Sequence, residues 1–504
     1  MWFVRLAKIL LWIGIIVNII FASWYVLHGD IIFHSDIARD FILLNEVVET
    51  HKPALLGPRT GAIPGVFHGP AWLYLNLPAF ILGDGNPLVV GWGWVVMEIM
   101  MIGSVYFLGK KVFSDWIGLI AAALISSRAA LFTHQFFNPS GISLFFPIFF
   151  YTLWKFFETK RAKFLVFSVL LSGLLIHFEV VFGMPMYLGV CLLTIYLAIK
   201  KQVPLKFLLY LGVIILPLSN YILFDLRHQF VQTRSFIQYI SADNPTYMTM
   251  REILSNRFIE LTHSLGILSV GSYTTHTFLS LVFFLTLLLG LFKSKQKRFF
   301  KLYILLYLLF WSFSILIPEK IKGYYFDFTA INVLIFVSQL YAFKKWLLVG
   351  VFLWIFTINT KHAKVVAFST TDFSGKVVSS WQFNKEMAKI VVQDAPDNFS
   401  LFTLDTDIFG YTANYAVRYI AQRAGKNVNT INKSSVTYIL IASNTIDHPN
   451  FDVRWWKDDQ IRVPNRPTSK VDYRGLYWIE RYDLTPEEVL VPEDPFLMNN
   501  KLLR

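Results

Sequence analysis

The chain alternates long apolar runs with short basic clusters, and this alternation limits its possible folds more than any other feature. Only 16% of the residues are charged, whereas an ordinary soluble domain has about 25%. A helix needs about 20 apolar residues to cross a bilayer. Runs near that length lie at residues 7–27, 87–108, 115–132, 140–157, 164–178, 179–199, 205–224, 275–292, 299–317, 325–343 and 346–359. The pattern predicts an all-α polytopic membrane bundle of about eleven helices.

The basic clusters predict how the bundle is oriented. They occupy every second connection, on the same side as Arg5 and Lys8: 110–111, 155–163, 200–201, 293–298 and 344–345. Positive residues favour the cytoplasmic side, so we expect a cytoplasmic N-terminus in a prokaryotic cytoplasmic membrane. The net charge of +13 is explained by these connections and does not indicate a nucleic-acid partner. An odd number of spans puts residues 361–504 outside.

Composition divides the chain at residue 360. Residues 1–360 form the predicted membrane domain, and 361–504 have the composition of a soluble protein. Their periodicity predicts helices at 376–393 and 411–424 and strands at 400–404, 436–442 and near 475–480. These elements predict a small extracytoplasmic α/β domain. The single cysteine, Cys191, excludes disulfides and a metal–thiolate site.

The first outer loop, 28–86, contains the most distinctive polar motif. In it His34 and Ser35 are followed by Asp36, Arg39 and Asp40. Helical spacing puts the two carboxylates on one face, with the arginine beside them. A carboxylate at a membrane surface is suited to act as a general base. The alternative is an ordinary helix start, capped by Ser35 or Asp36.

A Gly/Pro-rich segment follows, with Arg59 inside it and His68-Gly-Pro-Ala-Trp-Leu-Tyr at its end. It leads into the apolar piece Ala71–Leu82, which suits the membrane interface. Asp-x-x-Arg-Asp after the first span, then a Gly-Pro loop and His-Gly-Pro-x-x-x-Tyr, resembles the polytopic C-type glycosyltransferases. Within these it is most similar to the prokaryotic relatives of protein O-mannosyltransferases and lipid A aminoarabinose transferase.

The resemblance implies a sugar transferase of the outer membrane face. Such enzymes move a sugar from a polyprenyl-phosphate carrier to a protein, lipid or glycan hydroxyl, usually with inversion. An acid of the first outer loop serves as base, a role that falls to Asp36, with Asp40 as the second candidate. The acidic pair is adjacent in many members of the family but four residues apart here. Both Asp36 and Asp40 are therefore kept as candidates for the base. No metal or other cofactor is implied.

Other polar residues at the predicted outer ends of spans complete the candidate site. Cations there run against the positive-inside rule and suit a carrier phosphate: Arg39, Arg59, Arg227, His228, Lys320 and Lys322, with Tyr324 beside them. Snorkelling to lipid headgroups is the alternative for each. His68, His177 and Glu179 are the candidates for lining an acceptor cavity.

Three other functions fit parts of the pattern. An oligosaccharide transferase or polymerase with a lipid-diphosphate donor shares the topology. A transporter or flippase of lipid-linked sugars would also be polytopic, although transporters usually carry internal repeats and none is evident. A relative that binds a lipid-linked sugar without turnover is less compatible with the intact Asp36 and Asp40.

Overall fold

Each predicted apolar run is mainly helical within the residues that the structure describes. The structure, a computed structural model, describes residues 2–60, 65–241, 248–264, 273–321, 327–369, 380–405, 409–446, 452–464 and 466–494. The helices before residue 370 are α1 Trp2–Leu27, α2 Ser35–Thr50, α3 Ala71–Leu82, α4 Pro87–Val112, α5 Asp115–Ala129, α6 Ser140–Thr159, α7 Ala162–Phe178, α8 Val180–Ile199, α9 Ile215–Arg227, α10 Val231–Ser241, α11 Met250–Ser264, α12 Tyr273–Lys293, α13 Lys297–Ser314, α14 Thr329–Phe343 and α15 Lys345–Ser369. A 3₁₀ helix, Leu205–Ile214, leads into α9.

Many of these helices have the length and apolarity of membrane spans. Within the described residues, six are long and apolar enough to cross: Val4–Leu27, Pro87–Val112, Ser140–Thr159, Val180–Ile199, Leu205–Arg227 and Lys345–Phe368. Shorter apolar helices lie at Ala71–Leu82, Ala162–Phe178, Thr277–Lys293 and Thr329–Phe343. A helix satisfies its own backbone hydrogen bonds, as a lipid environment requires. The chain is a multi-pass, mainly helical membrane protein, and the predicted fold class is confirmed.

The chain divides into two compact units. The first consists of residues 1–24, 54–75 and 92–369, and the second of 25–53, 76–91 and 370–504. Parts of the first outer loop thus belong to the same unit as the C-terminal segment. The domain boundary at residue 360 stays a prediction, and α15 continues past it to Ser369.

Phenylalanine rings form much of the core of the first unit. Phe146 of α6 packs edge-on against Phe182 of α8 and Phe328, with both pairs of ring centroids 5.1 Å apart. Two buried asparagines also link the helices: Asn18 donates to Ser126 Oγ at 3.3 Å and Asn359 to Ser127 Oγ at 3.2 Å. Such bonds satisfy polar groups that lipid cannot.

The C-terminal part of the second unit is an α/β fold. Helices α16 Trp381–Asp394 and α17 Tyr411–Arg423 accompany strands β1 Asn398–Leu404, β2 Asn427–Asn429, β3 Val436–Ala442, β4 Ser469–Tyr473 and β5 Tyr477–Asp483. The strand order is β2-β1-β3-β5-β4; β1 pairs in parallel with β2 and β3, whereas β5 is antiparallel to β3 and β4. A short helix Val453–Trp455, a π-helical turn Trp456–Ile461 and a helix Pro486–Leu490 complete it. The predicted small α/β domain is therefore confirmed.

The turn Trp456–Ile461 covers one face of the sheet. Phe402 and Leu404 of β1 and Ile439 and Ile441 of β3 form a buried cluster with Trp456. Alternate residues of a strand point to one face, so this cluster accounts for one side of the sheet. On β1 the intervening residues, including Leu401, are also buried, and α17 packs against α16 and β1. The central strands β1 and β3 are thus buried on both faces.

The predicted orientation can be tested by labelling single cysteines. In a Cys191→Ala background, Lys52→Cys, Lys200→Cys and Arg466→Cys each give one exposed thiol. The positive-inside rule leads us to expect that a membrane-impermeant maleimide labels positions 52 and 466 in intact cells, and position 200 only after permeabilisation. Labelling of position 200 in intact cells would reverse the orientation.

Candidate active site

Helix α2, which carries the acidic motif, is buried along most of its first half. Ile37, Phe41 and Leu44 are buried, at the spacing expected for one face of a helix. His34 is the N-cap residue, in an extended conformation and without a side-chain cap bond, so neither Ser35 nor Asp36 serves as the cap. Asp36 lies in the first turn, where the helix dipole favours a negative charge.

Arg39 connects the two carboxylates of α2. Its Nη1 lies 2.9 Å from Asp36 Oδ1, and its Nη2 lies 3.4 Å from Asp40 Oδ1. The Asp36 side chain is 48% exposed, whereas that of Asp40 is 5% exposed. Asp36 is therefore the carboxylate that solvent or a substrate can reach. A phosphate at Arg39 would compete with both acids for the guanidinium.

The histidine before the motif is also shielded. Burial lowers the pKa of His34 below its ordinary value, since desolvation disfavours the charged imidazolium. His34 is therefore neutral near pH 7, and Arg39 is the cation that faces the carboxylates within the motif.

The Gly/Pro-rich segment forms a hairpin in the first unit. Gly57 N donates to His68 O and His68 N to Pro58 O, both at 2.9 Å, and Arg59 bridges Phe67 in antiparallel fashion. Gly57 lies so close to the backbone of Gly69 that a Cβ would overlap it. The glycines are needed because the two arms meet here without side chains between them.

The hairpin packs directly on the end of α7. Gly69 N donates to His177 O at 3.0 Å, and a Cβ on Gly69 would overlap the imidazole ring of His177. His177 Nε2 lies 2.6 Å from Pro217 O, which holds the ring in place. His68 and His177, both predicted to line a cavity, are thus brought to one place.

Buried polar atoms gather around this contact. Glu179, between α7 and α8, is buried, and Tyr221 lies edge-on to His177 with ring centroids 5.4 Å apart. His177 Nδ1, the Tyr221 hydroxyl and Asn138 Oδ1 have no hydrogen-bond partner among the described residues. An unpaired buried polar atom costs free energy, so these atoms are the expected contacts of a water or ligand hydroxyl.

The remaining predicted cations occupy more exposed positions. Arg227 and His228 are exposed at the end of α9, where His228 stacks on Phe224 with centroids 4.1 Å apart. Lys320 is exposed. Lys322 and Tyr324 lie outside the described residues. The structure therefore leaves the phosphate-binding role of these residues, and of Arg59, as a prediction.

Sequence reasoning missed the residues that hold these segments. Asp225 caps α10 by accepting from the backbone of Gln232 at 3.0 Å and from Thr233 Oγ1 at 2.6 Å. Arg257 is fully buried and donates to Ile317 O and Glu319 O, both at 2.7 Å, beside Lys320. Burial lowers the pKa of Arg257 to about 10. Its only sequence signal was a charge in a polar connection.

The first unit also contains a cavity of about 490 Å³. Its wall is mainly apolar and comes from α4, α5, α6, α14 and the segment between α5 and α6. Arg128, Ser143 and Asp327 give it a polar corner, in which Ser143 Oγ donates to Asp327. A cavity of this size and lining suits an amphiphilic molecule.

Comparison with solved structures identifies proteins with a similar fold. No family model and no curated protein sequence matches the chain. Among solved structures it is similar to ArnT from Cupriavidus metallidurans bound to undecaprenyl phosphate, with 10% identity, 96% of this chain and 98% of that chain covered, and a TM-score of 0.59. The apo state of that protein gives 10% identity, coverages of 93% and 97%, and a TM-score of 0.55.

A more distant likeness is to the Archaeoglobus fulgidus oligosaccharyltransferase in complex with Zn and sulfate, with 12% identity, coverages of 86% and 68%, and a TM-score of 0.47. The two ArnT structures define the class: the chain has the fold of a C-type (GT-C) polytopic membrane glycosyltransferase. The resemblance found in the sequence is confirmed at the level of the fold.

Replacing Gly69 with alanine tests the hairpin contact. We expect Gly69→Ala to lower the free energy of unfolding by about 1–3 kcal/mol, because the added methyl must displace a tightly packed ring. Gly103→Ala is the matched control, since nothing lies within 4 Å of its Cβ. Thermal unfolding in detergent measures both, and equal midpoints would show that the hairpin does not pack on His177.

Proposed function

We propose that the chain is a membrane glycosyltransferase that moves a sugar from a polyprenyl-phosphate carrier to an acceptor hydroxyl on the extracytoplasmic face. The observation that carries this proposal is the fold, shared over nearly the whole chain with a structure of ArnT bound to undecaprenyl phosphate. The half-exposed carboxylate of Asp36, held by Arg39, supports it from this chain's own residues.

In the proposed reaction Asp36 is the general base. The acceptor oxygen attacks the anomeric carbon as its proton passes to the Asp36 carboxylate. The bond from that carbon to the phosphate oxygen breaks, and the polyprenyl phosphate leaves with the electron pair. Attack opposite the leaving group inverts the anomeric centre.

The exposure of the two acids supports different roles for them. A general base must come within hydrogen-bond distance of the proton that it takes, and Asp36 is accessible where Asp40 is not. We assign Asp40 to a positioning role: its carboxylate holds one end of the Arg39 guanidinium, whose other end holds Asp36.

The leaving phosphate requires positive charge. Arg59, Arg227, His228, Lys320 and Lys322 are the proposed groups, with Tyr324 as a hydrogen-bond donor. Cations that neutralise charge as it develops on the phosphate stabilise the transition state. Arg39 is a weaker candidate than the sequence indicated, because both of its nitrogen contacts are to carboxylates.

We assign the residues that contact the acceptor, and the cavity that holds the lipid chain, by their polarity. His68, His177 and Glu179 are the proposed acceptor contacts, since unpaired buried polar atoms next to them match sugar or alcohol hydroxyls. The cavity of about 490 Å³ has the apolar wall that part of an isoprenoid chain needs. The acceptor in this proposal is a hydroxyl of a protein, a lipid or a glycan.

Sugar transfer in membranes tests the proposal. The donors are radiolabelled polyprenyl-phosphate hexoses, and the variants are Asp36→Asn, Asp40→Asn and Asp397→Asn, the last an exposed acid before β1. We expect Asp36→Asn to lower the transfer rate about 10²–10⁴-fold, the usual contribution of a general base. Asp397→Asn should match the wild type.

Two results would contradict the assignment. Transfer by Asp36→Asn at the wild-type rate would remove Asp36 as the base. A wild type that uses only diphosphate-linked donors would move the protein to the oligosaccharide transferases, and one that moves lipid-linked sugar across vesicles without transfer would make it a transporter.

A further inference from the structure

The C-terminal α/β fold contacts the acidic helix itself. Helix α17 packs along α2, and Tyr415 of α17 lies against Phe41, with ring centroids 5.3 Å apart. Phe41 is on the turn that follows Arg39 and Asp40. The buried face of α2 is therefore formed in part by residues that come more than 360 positions later in the sequence.

An aromatic cluster surrounds this contact. Phe33, just before α2, packs against Phe41 at 5.4 Å, Trp381 at 5.1 Å and Tyr415 at 5.6 Å between ring centroids. Phe80 of α3 lies 5.7 Å from Phe41. All five rings are less than 4% exposed. Tightly packed aromatic rings transmit displacement because an interior of this density has no space to absorb it.

Hydrogen bonds fix the chain just before α2. The Asp30 carboxylate accepts from Ser380 Oγ at 2.6 Å and from Gln382 N at 3.0 Å, and Trp381 N donates to Ile31 O at 3.1 Å. Ile32 and Ser380 also form an isolated antiparallel bridge. The start of α16 therefore holds the segment that leads into the acidic motif.

A second set of bonds fixes the turn between α3 and α4. The Tyr415 hydroxyl donates to Gly85 O at 2.6 Å, and Arg423 Nη2 donates to Asp84 O at 2.6 Å and to its carboxylate at 2.8 Å. Gly85 has a φ of +76°, in the left-handed region that suits glycine. Tyr415 thus contacts α2 with its ring and this turn with its hydroxyl.

We propose that the C-terminal α/β fold positions the acidic helix, with Tyr415 and Trp381 as positioning residues that set where α2 presents Asp36. The catalytic consequence rests on the proposed function of Asp36. The C-terminal fold then acts through α2 and does not need to touch the donor or the acceptor.

A matched pair of tyrosines separates positioning from general stability. Tyr415→Leu removes the ring beside Phe41, whereas Tyr438→Leu removes an equally buried ring in β3 whose hydroxyl donates to Asp394 at 2.6 Å. The conservative variant Tyr415→Phe keeps the ring and loses only the bond to Gly85 O.

The first measurement is amide hydrogen exchange in the full-length protein. We expect Tyr415→Leu to increase exchange in α2, residues 35–50, by about tenfold or more relative to the wild type. Tyr438→Leu should leave exchange in α2 unchanged even if it lowers the melting temperature as much. Equal protection of α2 in both leucine variants would overturn the inference.

The second measurement is transfer kinetics with a radiolabelled undecaprenyl-phosphate hexose. Tyr415→Leu should lower kcat about tenfold with the donor KM within twofold, and Tyr415→Phe should recover most of that loss. Tyr438→Leu should keep kcat within twofold. A kcat unaffected by Tyr415→Leu despite faster exchange in α2 would reject the role of Asp36 and leave the positioning of α2 by the C-terminal fold supported.

Discussion

Backbone polarity in lipid is the constraint on which the rest of this structure depends. Peptide groups inside a bilayer must be hydrogen-bonded internally, so the apolar runs form helices. Most of the candidate polar residues then lie at helix ends and in the loops that join them. The candidate residues follow this division: His177 and Glu179 lie at the junction of α7 and α8, and Arg227 and His228 lie at the end of α9.

Close packing of the hairpin on α7 shows how a loop becomes ordered at the end of a membrane helix. Gly57 and Gly69 let backbone approach backbone and ring without a side chain between them. The loop thereby gains hydrogen bonds to the core of the first unit, and its histidine is placed beside His177. A polar cluster with several unpaired atoms is costly to bury, so these atoms call for a partner such as a water or a ligand hydroxyl.

The fold was predictable from the sequence because helix formation in lipid depends on local composition. All eleven runs are mainly helical within the described residues, and the α/β character of the C-terminal segment followed from periodicity. Strands β2 and β4 were missed because they are short and largely polar or exposed. The turn Trp456–Ile461 was also missed, since its π-helical form has no simple sequence pattern.

The candidate site was less predictable, because its contacts join distant segments. Asp36 and Arg39 are neighbours on one helix, so their association could be expected from spacing. Tyr221 and Arg257 look in the sequence like ordinary residues of the membrane interface, so nothing there indicated that the Tyr221 hydroxyl and the Arg257 side chain are buried. Nothing local to Phe41 indicates that Tyr415 packs on it, since that contact is set by the fold of the whole second unit.

The contact of Asp30 with Ser380 also has a consequence for biosynthesis. Asp30 and Ser380 are 350 residues apart in the chain. A ribosome takes about 20–70 s to synthesise that length at 5–20 residues per second. During that interval the acidic helix has left the ribosome without the rings and hydrogen bonds that later fix it. A newly made chain therefore passes through a period in which its membrane helices can already be inserted while its acidic motif is not yet fixed in position. The motif is completed only when the last quarter of the chain has folded.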